Sequence, residues 1–246
     1  TRVRDRLLAE LPAEPRLLEV GCGTGVTVPR LLEWGVDAGQ YFGVDTDERI
    51  IDFARAVRPK ALRSAGYEVS LEATAERTVF DDPIPEFTAE NLSVTFAAED
   101  AFDALDRFSA LDVVVAQAFA DLVPLPRLVD AVESAVRSGG VAYFPITFDG
   151  GTIFQPDHPA DEGVEAAYHA AIDEVPGRDA YAGRHLADLL RQRDGHLLAM
   201  GSSDWIVRPR DGSYPADERY FLQQILEFVE DALSSRSAGS IDGEAW

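Results

Sequence analysis

The sequence predicts a doubly wound α/β fold, a mostly parallel sheet with helices on both faces. Three observations predict it. Short apolar strands alternate with amphipathic helical stretches through residues 1–147. A glycine cluster, Gly21-Cys22-Gly23-Thr24-Gly25, stands between the first strand and the next helix. Asp45 closes the second strand, where a parallel sheet presents carboxylates to ligands. The 246 residues, 46% of them hydrophobic, suit one domain over 1–246. Two irregular insertions interrupt it, at about 58–91 and 148–180, after strands 2 and 5.

Each element follows from local pattern. Val3, Leu7, Leu8 and Leu11 recur at helical spacing, and Pro12 and Pro15 end that helix. Arg16 to Val20 is a short strand, the glycine turn follows, and a helix runs to about Trp34. Gln40 to Val44 is a second strand. Asp47 caps a helix to about Val57, with Ile50, Ile51, Ala54 and Val57 on one face. Residues 58–91 are less regular, with a turn at Asp81-Asp82-Pro83-Ile84-Pro85. Leu92 to Ala97 is a strand, and a helix runs from Glu99-Asp100 to about Phe108. Leu111 to Ala116 is the most apolar segment and is read as a central strand. A helix over Pro124 to Val136 is closed by Gly139-Gly140, and Val141 to Thr147 is the next strand. Glu162 to Ile172 and Arg184 to Arg193 are read as helices. His196 to Met200 and Asp204 to Val207 are read as strand. Pro215 to Leu233 is a long helix turning Phe221, Leu222, Ile225, Phe228 and Val229 inward. Ser234 to Trp246 reads as loose.

Composition excludes several classes. No apolar run approaches the ~20 residues that span a bilayer. Thr1-Arg2-Val3-Arg4-Asp5-Arg6 has no signal core behind it, so a cytoplasmic protein is expected. The chain opens on Thr1, and residues missing at either end are allowed for. Cys22 is the only cysteine, which excludes a disulfide framework and a cysteine-rich zinc site. His169, His185 and His196 show no metal-ligand spacing and are read as surface residues. The net charge of −22 repels phosphate backbones and anionic membranes. Lys60 is the only lysine, and an acidic, lysine-poor surface fits a salt-adapted cytoplasm. An ordinary acidic protein from a GC-rich genome is the bland alternative.

The glycine cluster decides between ligands. A dinucleotide fingerprint is G-x-G-x-x-G, whereas the spacing here is G-x-G-x-G with Val26 next. The block Leu17-Leu18-Glu19-Val20-Gly21-Cys22-Gly23-Thr24-Gly25 resembles the first motif of class I S-adenosylmethionine-dependent methyltransferases. Tyr41-Phe42-Gly43-Val44-Asp45 resembles the second motif of that family. Glu99-Asp100-Ala101, Leu111 to Phe119 and Arg137 to Val141 resemble later ones in the same order. The resemblance covers residues 1–147 well and weakens beyond. It implies S-adenosylmethionine as cofactor. It places Gly21, Cys22, Gly23 and Gly25 against the methionyl and adenosyl parts, and Asp45 with neighbouring Thr46 at the ribose. Glu19 would orient the loop or the ligand's ammonium group. Asp100, beside Glu99, would accept from the adenine amino group, and the Ala101 N–H would donate to a ring nitrogen. Gln117 and Phe119 would lie beside the sulfonium. Cys22 reads as a small filler with no basic partner, not a nucleophile.

The same family pattern puts the acceptor pocket at Arg2 to Arg6, Phe119 to Pro126 and Phe148 to Pro159. Asp149 and His158 are the candidates there for a polar contact or a base, opposed by a purely structural loop. A small-molecule methyl acceptor is expected, since nothing basic and aromatic-studded suits nucleic acid, and no Asn-Pro-Pro-Tyr or Asp-Pro-Pro-Tyr follows the central strand. Trp205 is read as core, or as a second pocket wall. Two alternatives stand beside this reading. One is a catalytically silent S-adenosylmethionine- or nucleoside-binding regulatory protein. The other is a dinucleotide-dependent oxidoreductase. The family fold ends in a helix and an antiparallel hairpin, yet no apolar strand follows Leu233. Either His196 to Val207 supplies both edge strands, or the last strand is missing.

Overall fold

The computed structural model describes residues 2–72, 84–193 and 195–236. The first half runs α1 (Arg2–Glu10), β1 (Arg16–Val20), α2 (Thr27–Glu33), β2 (Ala38–Asp45), α3 (Glu48–Ser64), β3 (Val69–Glu72), β4 (Glu86–Ala89) and β5 (Asn91–Ala98). The second runs α4 (Ala101–Arg107), β6 (Leu111–Val115), a 3-10 turn (Ala120–Leu122), α5 (Leu125–Ala135), β7 (Val136–Tyr143), α6 (Asp161–Asp173), α7 (Ala182–Arg191) and α8 (Ala216–Arg236).

The strands form one sheet in the order β3-β4-β5-β2-β1-β6-β7. β1, β2, β5, β6 and β7 are parallel, and β3 and β4 are antiparallel. From β1 the chain works outward to β2 and β5, then returns across β1 to β6 and β7. The sheet therefore has a topological switch point between β1 and β6, where open α/β sheets take ligands beyond the carboxyl ends of their strands.

Side-chain alternation makes both faces apolar. Leu18, Val20, Val114 and Ala116 face one core with Leu105 from α4, Leu128 and Val129 from α5 and Leu186 from α7. Leu17, Tyr41, Val113 and Val115 face the other, with Leu7 from α1, Leu31 from α2 and Ile51 from α3. Helices on both faces match the expected fold. Asp112 breaks the apolar run of β6, yet it accepts from the Arg16 backbone N–H at 2.8 Å and from Arg137 Nε at 2.6 Å.

Six details differ from the sequence reading. α3 passes through Pro59 to Ser64 instead of stopping near Val57, because Pro59 and Leu62 are buried and packing carries the last turns. Within 58–91, β3 and β4 form an antiparallel pair on β5, with Phe87 opposite Leu71 and Val94. These strands are too short for period-2 alternation to stand out; Asp81 to Pro83 lie outside the described residues. β7 begins at Val136, immediately after α5, so Gly139-Gly140 sits inside a strand instead of closing a helix. A register irregularity opposite Leu111 and Val113 explains the glycines. A Cβ on Gly140 would lie 2.9 Å from the Leu111 carbonyl oxygen.

The other three differences lie at the end of the chain. His196 to Val207 forms no strand; Leu197, Met200 and Ile206 are exposed, and Trp205 stacks on Phe221 of α8 instead of entering a core. On α8, Val229 and Ala232 are buried while Phe228 is exposed, so the inward stripe is narrower and shifted. The expected loose tail falls partly in α8, up to Arg236; residues 237–246 lie outside the described residues.

Candidate functional site

The glycine loop is held in place by its neighbours. β1 delivers it at the carboxyl edge of the sheet, and the Cys22 N–H continues the ladder to the Val44 carbonyl oxygen at 2.9 Å. Gly21, Gly23 and Gly25 all have positive φ. Gly25 needs it most, because its backbone runs against the ring of buried Phe96. Phe119 lies against Gly21. Arg58 reaches from α3 and donates Nε to the Thr24 carbonyl oxygen at 2.5 Å. On the open side, a Cβ on Gly23 would meet nothing within 4 Å.

Asp45 ends β2 beside this loop. Its Oδ2 accepts from the Gly23 N–H at 3.0 Å, and its Oδ1 accepts from the Asp47 N–H at 3.1 Å. Each oxygen keeps a further lone pair for ligand hydroxyls. Thr46 follows it, in the turn before the α3 cap at Asp47.

Glu19 points into the core beneath the loop. It accepts from Thr27 Oγ1 at 2.7 Å and, through its other oxygen, from the Tyr41 hydroxyl. Of the two sequence roles, holding the loop is the one its geometry supports. Thr27 opens α2, so the carboxyl ties the helix start to β2. Burial pushes the Glu19 carboxyl up to about 7, against the lowering effect of Tyr41, Thr27 and Arg30. Burial also raises Tyr41 and Cys22, with the Glu19 charge adding to both. Cys22 is buried and packs against Gly43, as a filler does.

A pH dependence follows with a definite sign. The folded protein holds the Glu19 proton more tightly than the unfolded chain, whose carboxyl titrates near 4.5. That contribution is fully present below pH ~4.5 and is lost as pH rises to ~7, by roughly 3 kcal/mol. Glu19→Gln is expected to flatten this part of the stability profile. Urea unfolding at a series of pH values checks it, and an unchanged slope between wild type and variant would contradict the assignment.

The residues that the sequence reading expects at the adenine take structural roles here. Asp100 caps α4, its Oδ1 accepting from the Phe102 and Asp103 N–H groups at 2.8 and 3.3 Å. Glu99 Oε1 accepts from Arg107 Nε and Nη2 at 3.1 and 2.6 Å, while its Oε2 is buried with no hydrogen bond among the described residues. The Glu99 N–H donates to the Asp45 carbonyl oxygen at 3.0 Å, which brings this corner beside Asp45. Ala101 opens α4, so its N–H has no intrahelical acceptor. Across the switch point, Gln117 Oε1 accepts from Arg30 Nη1 at 3.0 Å.

Asp149 and His158 are not brought together by any hydrogen bond among the described residues. Asp149 accepts from the Arg184 backbone N–H and Nε, both at 3.3 Å, near the start of α7. His158 is exposed, and its Nδ1 accepts from the Ala160 N–H at 3.2 Å in the turn before α6. Two histidines were misjudged or undervalued. His169, expected on the surface, is buried among Phe148, Tyr168 and Tyr181, a packing that helical periodicity in α6 does not reveal. His185 is exposed as expected, but its Nδ1 pairs with Asp179 Oδ2 at 2.7 Å. Sequence reasoning also missed Thr27, Tyr41, Arg58 and Phe96; only the β1–β2 register puts Tyr41 next to Glu19.

Among the described residues, no group of three or more His, Cys, Asp or Glu side chains is placed to hold a metal ion. No described helix is long and apolar enough to cross a membrane.

The family model described as "Methyltransferase domain" matches residues 1–195. No curated protein matches the chain. Several solved structures are similar to it. One is an S-adenosylmethionine-dependent methyltransferase from Thiobacillus denitrificans in complex with S-adenosyl-L-homocysteine. It is 17% identical, with a TM-score of 0.45, and the match covers 96% of this chain and 80% of that one. Another is precorrin-6y C5,15-methyltransferase from Geobacter metallireducens, 19% identical with a TM-score of 0.38, covering 58% of this chain and 60% of that one. A third, an S-adenosylmethionine-dependent methyltransferase from Clostridium acetobutylicum, is 17% identical with a TM-score of 0.40. It covers 59% of this chain and 48% of that one.

Proposed function

The chain belongs to the methyltransferase-domain family, whose methyl donor is S-adenosylmethionine, and from that premise we propose that it methylates a small-molecule acceptor. The observation that carries this reading is the bond from the Gly23 N–H to Asp45 Oδ2. It unites the glycine loop and the ribose carboxylate at the carboxyl edge of the sheet. The residues fit the donor. Among the described residues the loop is open above Gly23, and the Asp45 carboxylate stands beside it.

In this reading Gly21, Cys22, Gly23 and Gly25 present backbone to the donor, and Glu19 holds that backbone from below. Asp45 and Thr46 take the ribose. Glu99, Asp100 and the Ala101 N–H border the adenine, with Asp100 also capping α4. Gln117 and Phe119 close the switch-point side. When bound, the donor supplies a sulfonium methyl group open to in-line displacement. Much of the catalysis of such a transfer is proximity and orientation. A net charge of −22 opposes a nucleic acid acceptor, and it suits a cytoplasm rich in salt.

Calorimetric titration in high salt tests the donor assignment. Micromolar binding of S-adenosylmethionine and S-adenosylhomocysteine, about 8 kcal/mol, with none of a nicotinamide dinucleotide, is expected. A folded protein that binds neither sulfur nucleoside would overturn it.

A further inference from the structure

A second feature lies outside the glycine loop. Between the start of α5 and the connection from α6 to α7 is a cleft of ≈ 520 Å³. Val123, Pro124, Leu125 and Leu189 give it apolar walls, and the ring of Tyr181 adds an aromatic one. Its polar edge is His185 with Asp179, accompanied by Arg178 and Asp173.

The dyad is held from both ends. Asp179 Oδ2 meets His185 Nδ1 at 2.7 Å, and its Oδ1 accepts from the Tyr181 N–H at 2.9 Å. An Nδ1–H donated to a carboxylate leaves the lone pair on Nε2. This is the arrangement of an oriented general base, with a third group fixing the imidazole. His185 lines the cleft, so Nε2 is the ring nitrogen left for an occupant.

One short segment of chain runs from the donor loop to the cleft. Phe119 touches Gly21, and four residues later Val123 lines the cleft. Four steps of extended chain span at most ~14 Å, and the intervening 3-10 turn shortens that. Within this turn the Asp121 carbonyl oxygen accepts from the Asp179 N–H at 3.1 Å, tying the dyad to the same segment. Asp121 Oδ1 is buried there with no hydrogen bond among the described residues.

We infer that this cleft is the acceptor subsite, that its occupant is a small apolar or aromatic compound bearing an acidic hydroxyl, and that His185, oriented by Asp179, receives the hydroxyl proton. The inference rests on the methyltransferase reading above. In the proton transfer, the acceptor O–H bond breaks, its electron pair stays on oxygen, and an N–H bond forms at His185 Nε2. The imidazolium is stabilised by Asp179. Apolar walls select the body of the compound, and the dyad selects the hydroxyl.

The probe is 4-nitrophenol, whose phenolate absorbs in the visible, added to the full chain at a pH where the free probe is mostly protonated. Binding is expected to raise the phenolate band and to shift the methyl resonances of Leu125 and Leu189. His185→Gln is expected to abolish the band increase while weakening binding less than ~10-fold; Asp179→Asn is expected to reduce it. An unchanged band in His185→Gln, shifts confined to other methyls, or no binding at millimolar probe would each overturn the inference. S-adenosylhomocysteine titrated into the same three proteins separates the two readings. Its binding is expected to be equal in all of them, and its loss in wild type would sink the donor assignment without touching the probe result.

Discussion

Gly25→Ala is expected to destabilise the protein by about 2–5 kcal/mol and to abolish donor binding. Gly25 sits at φ +71, where an L-residue pays roughly 1–2 kcal/mol. The added Cβ would also lie 2.3 Å from Phe96 Cζ and 2.6 Å from Cε1. Phe96 cannot retreat, since it is 1% exposed and packs on the Tyr41 and Phe87 rings. Relieving such overpacking costs about 1–3 kcal/mol. Gly23→Ala is the control. Its φ is +52, but its Cβ meets nothing, so only the backbone part, about 1–2 kcal/mol, is expected. Urea unfolding of both variants gives the comparison. Equal losses would show that Phe96 does not confine the loop.

Asp45→Ala is expected to weaken S-adenosylhomocysteine binding by roughly 10- to 150-fold, the equivalent of losing a charged hydrogen bond worth about 1.5–3 kcal/mol. The residue acts twice in this account. It offers lone pairs to the ribose, and it holds the Gly23 and Asp47 N–H groups. Asp45→Asn keeps one acceptor oxygen and is expected to fall between alanine and wild type. Calorimetry on proteins with wild-type circular dichroism measures it. Undiminished affinity in Asp45→Ala would place the ribose elsewhere.

Local patterns carried much of the architecture into the sequence. β1, the glycine turn and α2 each announce themselves within a few residues, and the alternation of Leu17 with Leu18 already implies two cores. What stayed hidden depends on contacts between distant segments. Arg58 reaches Thr24 from α3, and no spacing rule links a helix arginine to a loop carbonyl. Asp179 and His185 are six residues apart across the irregular start of α7, where helical periodicity gives no neighbour. The segment over His196 to Val207 has strand-like composition, yet it pairs with no strand; hydrogen-bonding partners decide a strand, and composition does not. Asp100 illustrates the opposite case, because a capping aspartate and a ligand-binding aspartate look alike until the N–H groups that donate to it are counted.

Consider what the Asp45–Gly23 bond demands of the two strands beneath it. Glu19 pairs with Gly43 and Val20 with Val44, and only this alignment puts Asp45 level with the loop. A slip of one residue would turn the carboxylate to the opposite face of the sheet, and the loop would lose its anchor. A donor that bridges both elements binds the aligned state alone. In the proposed reading its binding free energy adds to correct strand pairing by mass action, which would make the donor a check on the register of the sheet that captures it.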